Sequence, residues 1–526
     1  MRKKNWGIYP EYLNVYDALR NSAEKYPEKT AVIQESGVIT YRLLKERADK
    51  LSLWLQQNFR IKKGDRVGLL FVNSIDFYIA FYAVVKLGAI AVLVNTKMQS
   101  EEIAYVLQDT DTHCLIMNIR WFGKVESILE KLKINRILTE KKSDIYLENI
   151  YISSMEEIFL EKSPEKKTEI LSVKESNLPA VILHTSGTTG KPKGIMVTHE
   201  NMMGTAYGYE EALRITEKDV SVLSVPVFHI LGLSCVSNLF IYIGGTIVVF
   251  EKFEANKILA AIERYRGTHF HSVPAVYIKM MAEAERQYDM DSLRIAVCGG
   301  ALISEEDKQR FYQMAPKASF RIAYGLTETA GSGVLSFRHG DPGREVFNCR
   351  IRILDADGKI SEFGEGEAIC SGTIVTTKIW GREDTEHGIL YTGDIIRKEK
   401  DGSIYILDRI KDVINRGGEK LFPSFIENAI SQYPGIELVS VFPVGDKIYG
   451  EVPAAVIVPQ YGNKIDIEKL KMTIQTKLGK FEIPKYIEFW KKEDIPVTGN
   501  GKVKKRELRE IFEKKLADKG GKNEKT

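Results

Sequence analysis

From Asp65 onward, short apolar runs alternate with helix-spaced ones, and that alternation restricts the fold more than any single motif. "RVGLLFV" gives way to "IDFYIAFYAVVKLG", then to "AIAVLVN". Similar strands recur at "HCLIMN", "RILTE", "VSVLSVP", "GTIVVF", "THFHSVP" and "RIAVCGG". Strands spaced by helices in this way predict an α/β architecture with largely parallel sheets. Residues 15–60 carry helical spacing, with a strand after Pro27. At 526 residues the chain exceeds one hydrophobic core, so two or more domains are expected. After about Asp341 the pattern changes to short strands with Gly and Asp-Gly turns, as in "RIRILDADGKI" and "GSIYILDR", which suggests an antiparallel or barrel-like subdomain. Beyond Lys411 a smaller unit follows, with helices at "PSFIENAISQYP" and "DIEKLKMTIQTKLG". The boundary therefore falls there, giving domains 1–410 and 411–526.

Charge and cysteine usage narrow the function. The net charge is 75 − 71 = +4, which argues against a dedicated nucleic-acid binder. The basic excess is local to residues 501–526, a segment that reads as a solvated helix. Five scattered cysteines without a CxxC pair read as reduced thiols in a cytoplasm. "HFH" at His269–His271 lacks a third metal ligand. The N-terminal stretch has no apolar h-region. The most apolar stretch, Phe77 to Val94, is broken by Lys86 and Gly88, so it reads as a buried helix and strand rather than a membrane span.

One loop stands apart. "HTSGTTGKPKG" (His184–Gly194) interrupts a core strand pattern with glycines, hydroxyls and lysines. Taken alone, such a cluster is a surface loop, but a linker does not normally break a core strand for only ten residues. Backbone N–H groups freed by glycine, together with hydroxyl donors, suit a phosphate. It is not a Walker A loop: only two residues separate Gly187 from Gly190, and Pro192 follows Lys191. Four further islands are richer than structure alone requires: "AYGLTETAG" (Ala323–Gly331), "YTGD" (Tyr391–Asp394), "DRIKDVINRGGEK" (Asp408–Lys420) and "PVTGNGKVKKREL" (Pro496–Leu508).

In this order the set resembles the adenylate-forming superfamily of acyl-CoA synthetases, beetle luciferases and peptide-synthetase adenylation domains, over about residues 15–510. The resemblance implies a large N-terminal region of two α/β sheets plus a distorted β-barrel, with a small mobile C-terminal α+β domain. It implies that a carboxylate attacks the α-phosphorus of ATP, giving an acyl-adenylate and pyrophosphate, and that a thiol then expels AMP. By motif, Thr185, Ser186, Gly187, Thr188, Thr189, Gly190, Lys191 and Lys193 form the loop over the ATP phosphates. Glu328 would hold Mg²⁺ and Thr327 the α-phosphate. Tyr324 would flank the adenine, with the backbone of Gly299, Gly300 and Ala301 near it, and Gly325 would belong to the ATP site. Asp394 and Arg409 would bind the ribose, and Lys502 would bridge the α-phosphate and the substrate carboxylate. Lys411 would be the hinge of a domain rotation that brings Gly417, Gly418 and Lys420 to the thiol path.

The acid is less defined. "VPVFHILGL" (Val225–Leu233) resembles the P-x-F-H-x-x-G of acyl- and coumaroyl-type CoA synthetases, with His229 between acyl pocket and thiol entry. Amino-acid-activating relatives carry an Asp where His229 stands, which argues against an amino-acid substrate. "TTKIWGREDTEHGILYTGD" is shorter than usual, so a trimmed loop is expected there. The resemblance thus implies a carboxylic acid substrate, with ATP, Mg²⁺ and CoA. The alternative acceptor is a separate phosphopantetheinyl carrier protein. No fused carrier domain is present in the sequence. A homodimer and a cytoplasmic location complete the expectation.

Overall fold

The computed structural model describes residues 14–161, 175–185, 192–301, 303–338, 340–383, 388–460, 463, 465–497 and 503–523, with side chains up to residue 516. The polar stretch Glu161–Ser176 lies mostly outside them. The chain forms two compact units, one of residues 1–301, 310–351 and 369–390, the other of 302–309, 352–368 and 391–526.

The first unit contains the two α/β sheets that the alternation predicts. In one, six parallel strands run in the order Thr30–Gln34, Thr246–Val249, Val220–Leu223, His269–Ser272, Ile295–Gly299 and Ser319–Tyr324. Antiparallel strands close both edges: Gly37–Thr40 at one, Val334–Leu335 and Arg344–Glu345 at the other. The second sheet orders Tyr151–Ser154, Arg136–Thr139, Cys114–Met117, Arg66–Leu70, Ile90–Leu93, Pro179–Thr185 and Lys193–Thr198. Only the last of these is antiparallel. Central strands such as Ile90–Leu93 and Cys114–Met117 are buried at every residue, which is why they read as unbroken apolar runs.

The helix Ile75–Lys86 shows how the apolar stretch is used. Ser74 caps it by accepting from the Phe77 N–H, and every residue from Phe77 to Lys86 is buried. A helix apolar on all sides belongs inside a core. Lys86, which interrupts the stretch, pairs with Asp49 at 2.8 Å and lies over the Tyr16 ring. Gly88, at φ +68°, ends the helix in the left-handed conformation. Among the described residues no helix is long and apolar enough to cross a membrane.

The barrel expectation needs correction. The turn-rich strands Ile360–Ser361, Arg350–Leu354, Gly364–Ser371, Ile389–Lys398 and Ile404–Arg409 form an open five-stranded sheet in that order. Closure requires the two edge strands to pair with each other. Here one edge is the two-residue strand Ile360–Ser361, and among the described residues it has only one neighbour.

In the second unit, the hairpin Ile436–Asp446 and Gly450–Pro459 is the centre of a small sheet. Ile414–Arg416, Glu419–Leu421 and the parallel strand Tyr486–Phe489 extend it. Helices Pro423–Ser431 and Ile467–Gln475 cover it, where "PSFIENAISQYP" and "DIEKLKMTIQTKLG" predict helices. The basic terminal segment is the helix Lys505–Asn523; Lys505 pairs with Glu427 at 2.7 Å.

Candidate active site

The strands on either side of the glycine loop pair with each other. Its arms, Pro179–Thr185 and Lys193–Thr198, pair antiparallel, with Thr185 opposite Lys193 and His184 opposite Gly194. Ser186, Gly187, Thr188, Thr189, Gly190 and Lys191 lie outside the described residues. What holds the arms is not evident from the motif. The Tyr105 hydroxyl donates to the Pro192 carbonyl at 2.9 Å. Trp380 donates its backbone N–H to the Gly194 carbonyl at 2.8 Å and its indole N–H to the Asp109 carbonyl at 2.8 Å. His184 Nε2 lies 3.0 Å from Asp109 Oδ2. Burial lowers the pKa of His184 despite the nearby Asp109 carboxylate.

The Glu328 segment is tied to the same strand pair. Thr327–Thr329 form one tight helical turn, closed by the Gly331 N–H on the Leu326 carbonyl at 2.8 Å. A Cβ on Gly325 would sit 2.4 Å from the Gly331 carbonyl oxygen, so only glycine fits there. Thr376 donates its N–H to the Glu328 carbonyl at 2.7 Å and its hydroxyl to the Met196 carbonyl at 2.8 Å. Met196 belongs to the outgoing arm of the glycine loop.

Two strand ends meet beside this turn. Ile295–Gly299 and Ser319–Tyr324 are parallel neighbours with Gly299 opposite Ala323, so Gly299, Gly300 and Tyr324 emerge together. Gly300 has φ +80°. In open α/β sheets the crevice beyond the carboxyl ends of the strands is where ligands bind. Ala301 ends this stretch. Leu302, next to it, lies outside the described residues.

His229 lies on the bend just before a π-helix, Leu231–Asn238. Such widened turns are rare and concentrate at functional sites. Asn73 supports the entry by accepting from the Val227 N–H at 2.8 Å and donating to the Val225 carbonyl at 3.0 Å. The His229 ring packs edge-on against Phe228, with centroids 4.9 Å apart. Cys235 Sγ lies 3.3 Å from the Gly331 carbonyl, so the π-helix abuts the turn that carries Glu328. The first unit therefore gathers Thr185, Lys193, Gly299, Tyr324, Thr327, Glu328 and His229 on adjoining segments. A single carboxylate among them suits Mg²⁺, which keeps most of its waters and takes one or two carboxylates alongside substrate phosphates.

In the second unit, Asp394 and Arg409 face each other across an antiparallel pair, and Arg409 Nε lies 3.3 Å from Asp394 Oδ1. Asp394 is buried, while Arg409 is half exposed. Gly393, at φ +71°, donates its N–H to Glu367 Oε1 at 2.8 Å, which shapes the turn before the aspartate. Lys411 is exposed on the turn Ile410–Asp412. Gly417 and Gly418, at φ +60° and +94°, form the two-residue connection of the hairpin that leads to Lys420. Lys502 lies outside the described residues. On either side of it, Val497 and Val503 form an antiparallel bridge.

Comparison with known proteins agrees with this geometry. Residues 19–380 match the AMP-binding enzyme model and 426–502 the AMP-binding enzyme C-terminal domain. The chain belongs to the AMP-binding enzyme family. Feruloyl-CoA synthase from Amycolatopsis sp is 30% identical over 505 residues, covering 93% of this chain and 97% of that protein. A long-chain-fatty-acid–CoA ligase of Bacillus subtilis (strain 168) is 30% identical over 530 residues, covering 94% and 93%. The o-succinylbenzoate CoA synthetase from Bacillus subtilis is 26% identical. Its complex with the acyl-adenylate intermediate superposes with a TM-score of 0.80 over 94% of this chain and 98% of that one. The same enzyme with ATP and a magnesium ion gives a TM-score of 0.79 over the same shares.

Proposed function

We infer that the chain is an AMP-forming carboxylate–CoA ligase: it activates a carboxylic acid with ATP and passes the acyl group to the thiol of CoA. The relatives that align over nearly their whole length are named for CoA thioester formation on different acids, and one superposable structure holds an acyl-adenylate. The observation that carries the reading is the Thr376 link, which binds the Glu328 turn to the outgoing arm of the glycine loop.

The residues divide the work in two steps. In the first, a carboxylate oxygen attacks the α-phosphorus and pyrophosphate leaves. Both reactants are anionic, so fixed positive charge must meet them. Lys502 would bridge the carboxylate and α-phosphate, and a lysine suits several oxygens as a compact point charge. Thr327 would orient the α-phosphate, and Thr185, Lys193 and the loop between them would hold the outer phosphates. Bound Mg²⁺, held by Glu328, would neutralise phosphate charge. Tyr324 would stack on the adenine against Gly299 and Gly300. Asp394 and Arg409, paired at 3.3 Å, would bind the ribose hydroxyls as acceptor and donor.

In the second step, rotation about Lys411 would carry Lys502 away and bring Gly417, Gly418 and Lys420 to the thiol path, with His229 between that path and the acyl carbon. The thiolate attacks the acyl carbon and AMP leaves. Five buried free cysteines fit a reducing cytoplasm. The same reading includes a homodimer, for which light scattering should return the mass of two chains. Function is tested by supplying ATP, Mg²⁺ and a panel of acids with either CoA or a phosphopantetheinylated carrier protein. Acyl-CoA is the expected product. An acyl-adenylate that stays bound in excess CoA yet transfers to the carrier would overturn the assignment.

A further inference from the structure

The first unit has a second cleft, of about 670 Å³, at the opposite ends of the strands that present Gly299 and Tyr324. Ile295 and Ser319, the first residues of those strands, line it. It therefore lies about 13 Å or more of strand away from the candidate active site. Four arginines converge on it: Arg214, Arg294, Arg321 and Arg338. Glu211 is the one carboxylate in its wall.

The four are not equivalent. Arg294 is already engaged: its Nε and Nη2 reach Asp219 at 2.8 and 2.6 Å, and Nη2 also donates to the Arg214 carbonyl at 3.0 Å. Arg214 is exposed in the left-handed conformation, φ +51°, after the helix His199–Leu213, and Arg338 is also exposed. Arg321 is the informative one. Its Nε and Nη1 are shielded from solvent and have no hydrogen-bond partner among the described residues. Burial weakens its hold on its proton, Arg214 and Arg294 weaken it further, and Asp341 only partly compensates. A guanidinium with unused donors beside two others is unfavourable unless an anion meets it. A multiply charged anion relieves it, because guanidinium forks pair with phosphate in a fixed bidentate geometry.

We propose that this cleft binds a phosphate-bearing anion, either a free polyphosphate or the phosphates of a nucleotide, at a site separate from the one that activates the carboxylate. The test titrates inorganic pyrophosphate into the full chain held at saturating α,β-methylene-ATP, which occupies both the nucleotide and the outer-phosphate positions of the candidate active site. Two single variants are compared with the parent: Arg338→Glu on the surface and Arg321→Met in the wall. The expected result is a pyrophosphate site in the parent whose Kd rises about tenfold or more in each variant, the scale of a lost charged hydrogen bond, with α,β-methylene-ATP affinity unchanged. Arg321→Met should melt no lower than the parent without anion, since it removes a crowded charge. Adenosine 3′,5′-bisphosphate separates the sources: binding with the same variant dependence assigns a nucleotide, and binding of pyrophosphate alone assigns a free polyphosphate. A parent that takes up neither anion, or a Kd that neither variant changes, overturns the proposal.

Discussion

Thr376 holds Glu328 and the glycine-loop strand at once: its N–H donates to the Glu328 carbonyl at 2.7 Å and its hydroxyl to the Met196 carbonyl at 2.8 Å. Thr376 is itself buried. Thr376→Val keeps the shape and the backbone bond but takes the hydroxyl partner from the Met196 carbonyl and from the Lys378 N–H, a loss of about 1 kcal/mol or more. It should lower the thermal midpoint slightly and raise KM for ATP severalfold in pyrophosphate release. An altered midpoint with unchanged KM would show that the link supports the fold alone.

Asp394, buried and faced by Arg409, should read the ribose through its carboxylate. Asp394→Ala removes a charged acceptor and should raise KM for ATP about 10- to 100-fold. Comparison of ATP with 2′-deoxyATP isolates the contact. The parent should prefer ATP, and the variant should lose that preference. A preference kept intact in Asp394→Ala would place the ribose elsewhere.

Stability should fall in mild acid. His199 is buried, its Nδ1 accepts from the Val15 N–H at 3.3 Å, its Nε2 has no partner among the described residues, and burial holds its pKa to about 3. His269 is likewise buried and held to about 3. Unfolded, each takes a proton near pH 6.5, so the unfolded chain binds more protons between there and about 3. Stability from these groups is complete above about 6.5 and declines as pH falls, by about 1.4 kcal/mol per pH unit for each histidine. His199→Gln should be less stable than the parent at pH 7.5, and the gap should narrow at pH 5.5. A gap independent of pH would mean that His199 does not titrate on unfolding.

The strands were legible because burial on both faces leaves continuous Val, Ile and Leu runs such as "AIAVLVN" and "HCLIMN". The motifs carrying Glu328, Gly299 and Asp394 were legible through their glycines, which the chain needs where a Cβ would strike backbone, as at Gly325. What holds those motifs was not legible. Asn73 meets Val225 and Val227 from about 150 positions away, and Trp380 meets Asp109 from 271. No local pattern marks such partners. Nor does "HILGLSCVSN" announce a π-helix, since its apolar spacing fits an ordinary helix equally well. The barrel was expected from strand and turn composition, which is the same for an open sheet, and the two-residue edge Ile360–Ser361 decides between them.

The most direct test of two-step ligation separates the half-reactions in one variant. Lys502→Ala should slow acyl-adenylate formation, followed by pyrophosphate release, by a factor of ~10²–10³, the scale of one lost electrostatic stabiliser. CoA thioester formation from acyl-adenylate supplied directly should stay near the parent rate. Equal losses in both half-reactions would contradict the account, because a lysine needed only where carboxylate meets α-phosphate has no part in the thiol step.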